Sequence, residues 1–329
     1  MAVLVCGGAG YIGSHTVKRL TEKGEEIIIV DNLVTGHHTA VNSDLKFYEA
    51  DIRDSGALDK IFTENKIEAV IHFAAFIEAG ESVTRPLKYF DNNVYGMQNL
   101  LQAMAKHGAN KIIFSSSAAV YGEPKRIPIE EDDATEPTNP YGETKLIMEK
   151  MIRWVGAAHG IRYVSLRYFN AAGAIEDGSI GEDHPHETHL IPLILQVPLG
   201  KRDHITVYGT DYPTADGTCI RDYIHVIDLA DAHICALNYL RNGGESNYFN
   251  LGTGHGFSVK EMIDAAKKVT GQDIKTEYGA RRAGDPARLI ASGEKARKIL
   301  GWSPRFDDVE KIIATAWNWH KSHPSGYAD

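Results

Sequence analysis

Residues 2–13 read AVLVCGGAGYIG, and residues 25–31 read EEIIIVD. Each holds a short apolar, β-rich run of strand type; the first breaks into glycines and continues with helical spacing, and the second ends on an acid. Gly7, Gly10 and Gly13 therefore form a G-x-x-G-x-x-G turn between a strand and a helix. Glycine there lets backbone amides approach a pyrophosphate closely, and the helix N-terminus adds a favourable dipole. In a chain with 31 glycines the bare pattern is weak, so context carries it: Asp31 stands eighteen residues beyond Gly13. A carboxylate at that place can accept hydrogen bonds from an adenosine ribose diol. It also repels a 2'-phosphate, and Asn32-Leu33-Val34-Thr35-Gly36 offers no Arg or Lys. The expected cofactor is NAD rather than NADP. Asp51 and Ile52, after a third run, are placed at the adenine edge, although an acid at a strand end is equally read as a helix cap.

Further runs of strand type lie at 45–49, 69–73, 111–115 and 162–167, alternating with helical stretches at 12–22, 87–107 and 141–159. This rhythm predicts an α/β fold, a Rossmann-type doubly wound parallel sheet buried on both faces. From about residue 171 Gly and Pro punctuation thickens, which predicts a second, smaller α+β domain. The expected division is a cofactor domain over 1–170, rejoined by about 228–251, and a substrate domain over 171–329.

The 329 residues allow about two domains, and 43% hydrophobic with 24% charged residues is the composition of a globular enzyme. The net charge of -9 argues against a nucleic-acid partner. The most apolar later segment, 190–199, is broken by Pro192 and Pro198 and falls short of the ~20 residues a membrane span needs. Three cysteines without CxxC spacing give no disulfide framework. A cytoplasmic setting and no membrane partner are expected.

A Tyr-x-x-x-Lys pair on a helix puts a phenol and an ammonium one turn apart, so the cation can lower the phenol's pKa and make it a base. The chain holds two such pairs. Tyr121 to Lys125 contains Gly122 and Pro124 and predicts a turn. Tyr141 to Lys145 leads into LIMEKMIRWV, with Asn139 as an N-cap and Pro140 in the first turn. Tyr141 and Lys145 are the expected catalytic pair. Upstream, KIIFSSSAAVYG is a buried strand ending in three serines at the carboxyl edge of the sheet, where Ser117 can share a substrate hydroxyl with Tyr141.

At this point several motifs combine. GGAGYIG, SSSAAVYG, PYGETK and RYFNAAG resemble the extended short-chain dehydrogenase/reductase family. NNVYG, GEDHPHETHLIP, VYGTDYPTADGTCIRDYIHVIDLADAH, NLGTG, RRAGDPA and WNWHKSHPSGYAD extend the likeness to its UDP-glucose 4-epimerases over nearly the whole length. The resemblance implies an NAD-dependent isomerase that interconverts UDP-galactose and UDP-glucose through a transient 4-keto sugar. It assigns Tyr141 as the base at the 4'-hydroxyl, Lys145 as its tuning group and ribose contact, and Ser117 as the group steadying the 4'-oxygen. It places Tyr11, Ile12, Asp31, Asn32, Asp51, Ile52, Phe73, Ala74, Asn92 and Phe169 around NAD. Related 4,6-dehydratases carry an acid beside the serine; Ala118 and Ala119 occupy those positions here, so elimination lacks its catalyst. An epimerase of UDP-N-acetylhexosamines or UDP-uronic acids is the alternative. A non-catalytic NAD-binding sensor on the same fold is disfavoured by intact Ser117, Tyr141 and Lys145.

On the substrate side, Arg221 and Arg282 can supply forked donors to a diphosphate, unless they serve only as ion-pair partners of Asp222 or Asp285. Tyr208 can stack on uracil and Asp285 can accept from ribose. The resemblance adds Asn170 as a diphosphate or sugar contact, His189 as a substrate contact, and Leu289 as the residue that limits pocket size. Leu289 is smaller than the tyrosine of some relatives, which opens the site to UDP-N-acetylhexosamines. His184, His186 and His189 with Asp183 and Glu187 invite a metal reading, but the spacing matches no zinc pattern and no metal is expected. A homodimer is implied, with Met97, Leu100, Met104 and Trp154 either forming its helical face or packing in the core.

Overall fold

The computed structural model describes residues 1–282 and 285–328; Ala283 and Gly284 of RRAGDPA, and Asp329, lie outside the described residues. Six short runs built mainly of β-branched, aromatic and other apolar residues form strands β1 (Ala2–Cys6), β2 (Ile27–Asp31), β3 (Lys46–Glu49), β4 (Ile67–His72), β5 (Lys111–Ser115) and β6 (Arg162–Arg167). With the strand Asn247–Asn250 they make one seven-stranded sheet, whose order from that strand is β6, β5, β4, β1, β2, β3. Every pairing in it is parallel. The order reverses between β1 and β4, and in open α/β sheets ligands bind outside the carboxyl ends of the strands at such a switch.

The two-residue period of the strands sorts the core. Val3, Val5, Ile27, Ile29, Ala69 and Ile71 face one side, with Val17 and Leu20 of helix α1 (Tyr11–Glu22) and Leu229, Leu237 and Leu240 of the helix Val226–Arg241. Leu4, Cys6, Ile28, Val30 and Val70 face the other, with Leu58 and Ile61 of Ser55–Glu64 and Met148 and Ile152 of Pro140–His159. Each fully buried Val, Leu, Ile or Met among them contributes about 1.5–3 kcal/mol.

The stretch expected as one helix over 87–107 is interrupted. Pro86–Tyr89 is followed by a π-helical turn over Phe90–Tyr95, and an α-helix resumes over Gly96–His107. The wide turn carries Asn92 and Asn93 into the interior. Asn93 Oδ1 accepts from the Phe76 amide at 2.8 Å, and its Nδ2 donates to the Phe76 carbonyl at 3.1 Å and to Thr144 Oγ1 at 3.0 Å. One carboxamide thus ties this turn to the loop after β4 and to the Tyr141 helix. Met97, Leu100 and Met104 lie in the core, packed with β-strand side chains, while Trp154 is 68% exposed.

Beyond β6 the short pairs Asn170–Ala172 with Tyr223–His225, Ile205–Tyr208 with Thr276–Gly279, and Ile220–Arg221 with Phe257–Ser258 and Arg288–Leu289 build a separate region. Its core joins Ile191, Ile194, Val207, Met262, Ile263, Ile312 and Ile313. No helix among the described residues is long and apolar enough to cross a membrane.

Candidate active site

A cavity of about 520 Å3 opens at the carboxyl ends of β1 and β4 and reaches residues of both regions. Gly7, Gly10, Tyr11, Ile12 and Gly13 line it at the β1–α1 turn, where Gly7 adopts φ 78°. Gly10 is the N-cap of α1 and offers no side chain to the helix, and no acid sits in the first turn. The amides of that turn are thus left for an anion. Asp31 is buried at the end of β2; its Oδ2 accepts from the Ala9 amide at 3.0 Å and its Oδ1 from the Leu33 amide at 2.9 Å. Burial raises its pKa, and the backbone donors pull it back. Asn32, Ile52, Phe73, Ala74 and Asn92 continue the same wall. An opening over the first-turn amides of α1 with an acid one strand away fits a dinucleotide.

Asp51 is not among the cavity-lining residues. Its carboxylate takes the Arg53 fork, Nε at 3.0 Å and Nη2 at 2.8 Å, and Asn32 Nδ2 at 2.9 Å, and the Arg53 bonds hold its pKa down at about 2. It orients Asn32, which lines the cavity.

The helix bearing Tyr141 begins as its residues dictate. Asn139 caps it by accepting from the Gly142 amide at 2.9 Å, Pro140 fills the first turn, and Gly160 ends it at φ 69°. Tyr141 and Lys145 both line the cavity, and Lys145 Nζ lies 5.9 Å from the Tyr141 ring centre. The ammonium donates to the Ser115 carbonyl at 2.7 Å, and burial pulls its pKa down to about 7 against the pull of Glu149. Burial raises the Tyr141 phenol, and a hydrogen bond with Ser117 lowers it. Without a ligand, then, desolvation outweighs the cationic tuning expected from the spacing, because the cation is itself desolvated. Tyr121 and Lys125 do not meet: Tyr121 OH donates to Asn250 Oδ1 at 2.8 Å, and Lys125 is exposed beside Glu136.

The three serines have three different partners. The Ser115 hydroxyl bonds Tyr168 OH at 2.5 Å, Ser116 Oγ donates to Glu149 Oε1 at 2.6 Å, and Ser117 caps the turn Ala118–Tyr121 by accepting from the Ala119 amide at 3.1 Å. Ser117 is the serine that reaches Tyr141. Glu149, two turns beyond Tyr141, is fully buried against Arg167, whose Nη1 donates to Tyr121 OH at 2.8 Å. This buried pair behind Tyr141 and Lys145 gives no sequence signal beyond an acid at i+4 from Lys145.

A stability consequence follows from Lys145. Its pKa falls from 10.5 unfolded to about 7 folded, so the unfolded chain binds the extra proton between those values and stability rises with pH across that window. In cofactor-stripped protein, Lys145→Met should melt higher than the parent below pH 7, and the gap should shrink toward pH 10. Melting curves at pH 6, 8 and 10 check this; a gap constant with pH contradicts it.

Phe169, Asn170, His189, Arg221, Asp285 and Leu289 line the far side of the cavity. Arg221 and Asp285 form an ion pair, and Asn170 Nδ2 donates to the Asp222 carbonyl at 2.9 Å. Asp222 itself is buried and holds Thr253 and the Ala291 amide; burial pushes its pKa up to about 6. Tyr208 and Arg282 are not among the lining residues; the Arg282 guanidinium stacks 4.2 Å over the Tyr208 ring. Of the histidine-rich stretch, His184 and His189 line the cavity with Glu182, a residue the sequence reading left out.

The sequence pattern of the NAD dependent epimerase/dehydratase family matches residues 3–252. A UDP-glucose 4-epimerase of Lacticaseibacillus casei is 59% identical over 329 residues, covering 100% of this chain and 99% of its own length. Among solved structures, the UDP-glucose 4-epimerase from Bifidobacterium longum in complex with NAD+ and UDP matches with TM-score 0.93 at 42% identity, over 99% of this chain and 100% of that one. The UDP-Glc/GlcNAc 4-epimerase from Campylobacter jejuni matches with TM-score 0.87 at 45% identity, over 98% and 99%. With a doubly wound sheet and with a glycine turn, Ser117, Tyr141 and Lys145 in one cavity, the chain belongs to the NAD dependent epimerase/dehydratase family and, within it, to the UDP-glucose 4-epimerases.

Proposed function

We propose that this chain, carrying NAD, interconverts UDP-glucose and UDP-galactose by inverting C4' of the sugar, with Tyr141 as base. The observation that supports this is that one cavity gathers the glycine turn, Ser117, Tyr141, Lys145 and the Arg221–Asp285 pair. NAD, when bound, supplies a cationic ring that accepts the C4' hydride and returns it. Gly7, Gly10 and Gly13 would hold its pyrophosphate, Asp31 its adenosine ribose, and Lys145 its second ribose. Ser117 and Tyr141 bind the 4'-oxygen together. Tyr141 holds the proton taken there and gives it back when the other face is reduced; Ser117 favours the phenolate that burial opposes. Arg221 turns from Asp285 toward the diphosphate, and Asp285 is released to a ribose hydroxyl. Residues 1–170 with 228–251 serve the cofactor and the remainder the UDP-sugar. The setting is cytoplasmic, in keeping with three free cysteines. The working unit is a homodimer whose face uses exposed Trp154, since Met97, Leu100 and Met104 are committed to the core.

The test is to denature purified protein, quantify released NAD, and assay both sugars without added cofactor. About one NAD per chain with interconversion is expected. NAD without turnover supports the sensor reading, and the absence of both NAD and turnover removes the proposal.

Leu289 on the cavity wall favours a second activity, on UDP-N-acetylhexosamines. Leu289→Tyr should lower turnover of UDP-N-acetylglucosamine at least about tenfold, as loss of a few buried methylenes' worth of room does, while UDP-galactose turnover persists. A parent protein with no detectable hexosamine turnover ends this reading.

A further inference from the structure

The loop 182–189 brings four titratable side chains together, three of them in the wall of the cavity. Both imidazoles turn Nδ1 toward the same two carboxylates. His189 Nδ1 lies 2.8 Å from Glu182 Oε1 and 3.1 Å from Glu187 Oε1; His184 Nδ1 lies 3.5 Å from Glu182 Oε1 and 3.3 Å from Glu187 Oε2. One ligand atom from each of the four residues falls within 4.8 Å of all the others. A tetrahedral zinc ion with ligand arms of about 2.0–2.2 Å requires donor atoms roughly 3.3–3.6 Å apart; the nitrogen–oxygen separations here run from 2.8 to 3.5 Å, so shifts of about half an ångström seat the ion.

Hydrogen bonding leaves the group unfinished. Each imidazole has a single Nδ1 proton to give, and Glu187 already draws on the Thr188 and His189 amides. Glu182, 5% exposed, keeps Oε1 buried with only the two imidazoles to answer it, His189 Nδ1 at 2.8 Å and His184 Nδ1 at 3.5 Å, and they do so as ion pairs only when protonated. With neutral imidazoles that buried carboxylate oxygen costs stability unless another cation answers it. Two imidazoles and two carboxylates carry a charge of -2 between them when the imidazoles are neutral, and one divalent ion cancels it. The frame is built: Trp319 Nε1 donates to the Glu182 carbonyl at 3.1 Å, and the Tyr11 ring meets His184 edge-on at 6.4 Å.

We propose that Glu182, His184, Glu187 and His189 bind one divalent transition-metal ion of the zinc class. Nitrogen and oxygen donors in a compact tetrahedron suit zinc, whereas calcium and magnesium ask for six or more oxygens. Four protein ligands close the coordination, which makes the ion a clip on the loop. The clip holds His189 and His184 in the wall of the cavity. Asp183 and His186, which the sequence places in the same stretch, take no part: Asp183 is turned to the Tyr327 amide, and His186 is exposed.

The experiment uses untagged full-length protein with its nucleotide in place. It is stripped with EDTA, then titrated with zinc against a chromophoric chelator. One zinc per chain is expected, with affinity at least about a hundredfold weaker in Glu182→Gln and His184→Ala, more than loss of an outer-sphere partner costs. His186→Ala should bind as the parent does. Retained nucleotide verifies that each variant is folded. Equal zinc binding by the parent and both ligand variants, or equal loss in His186→Ala, overturns the site. If a variant fails to fold, X-ray absorption on the zinc-loaded parent decides: two imidazole nitrogens and two oxygens uphold the proposal, and any sulfur or six-oxygen shell refutes it.

Discussion

Tyr141→Phe is expected to lower kcat by roughly 10^2- to 10^4-fold, the range lost when a positioned acid or base is removed, while NAD remains bound at parental stoichiometry. The change removes one oxygen from a half-buried ring and leaves the cap at Asn139, the helix and the Lys145 contact to Ser115 in place. No neighbour can replace it. Lys145 is committed to a carbonyl, the Ser116 hydroxyl is committed to Glu149, and the Ser115 hydroxyl to Tyr168. Ser117 reaches the same place but has no base behind it, so Ser117→Ala should cost less than Tyr141→Phe. Assays at saturating UDP-galactose, with bound nucleotide measured on the same samples, separate catalysis from assembly. Unchanged turnover in Tyr141→Phe would falsify the assignment.

The second large effect concerns two glycines of the same turn, which should fail differently. A Cβ on Gly13 would lie 2.0 Å from the Gly7 carbonyl oxygen and 2.9 Å from the Gly7 carbonyl carbon and Gly8 Cα. These are backbone atoms at the end of the central strand, so the turn itself must open. Gly13→Ala should cost about 3 kcal/mol, the upper part of the range for overpacking a well-filled site, and should lose the cofactor with it. A Cβ on Gly10 meets only the Gly7 oxygen, at 3.5 Å. Gly10→Ala should therefore melt close to the parent yet carry little NAD, because the added methyl occupies the approach of the pyrophosphate. Gly80, where a Cβ meets nothing within 4 Å, is the neutral control. Melting temperature and released nucleotide are read for all three. A Gly10→Ala protein with a full complement of NAD would show that the amides of this turn do not hold the pyrophosphate.

The parts of this molecule readable from one dimension are those whose physics closes within a few residues. Short apolar runs of Val and Ile mark the strands, Asn139 and Pro140 mark the start of a helix, and a glycine turn followed by an acid at the next strand end marks the nucleotide face. Tyr141 and Lys145 share a helix face because four residues make about one turn. Each of these is a local contest between propensity, capping and sterics, and neighbours along the chain settle it. The selection among chemically identical groups is of another kind. Ser115, Ser116 and Ser117 are interchangeable as letters. They differ because Tyr168 stands 53 residues away from the first, Glu149 33 residues from the second, and Tyr141 beside the third. The same holds for the π-helical turn that brings Asn92 and Asn93 inward, for Asp51 drawn to Arg53, and for Met97, Leu100 and Met104 drawn to the core. It holds too for Glu182, which joins His184, Glu187 and His189 only once the loop folds back on itself. For Met97, Leu100 and Met104 the deciding term is apolar burial, for Asp51 it is the Arg53 hydrogen bonds, and for the buried polar groups it is desolvation. A polar or charged group carried out of water takes whatever partner the packed chain leaves within about 3 Å, and that partner is set by the fold.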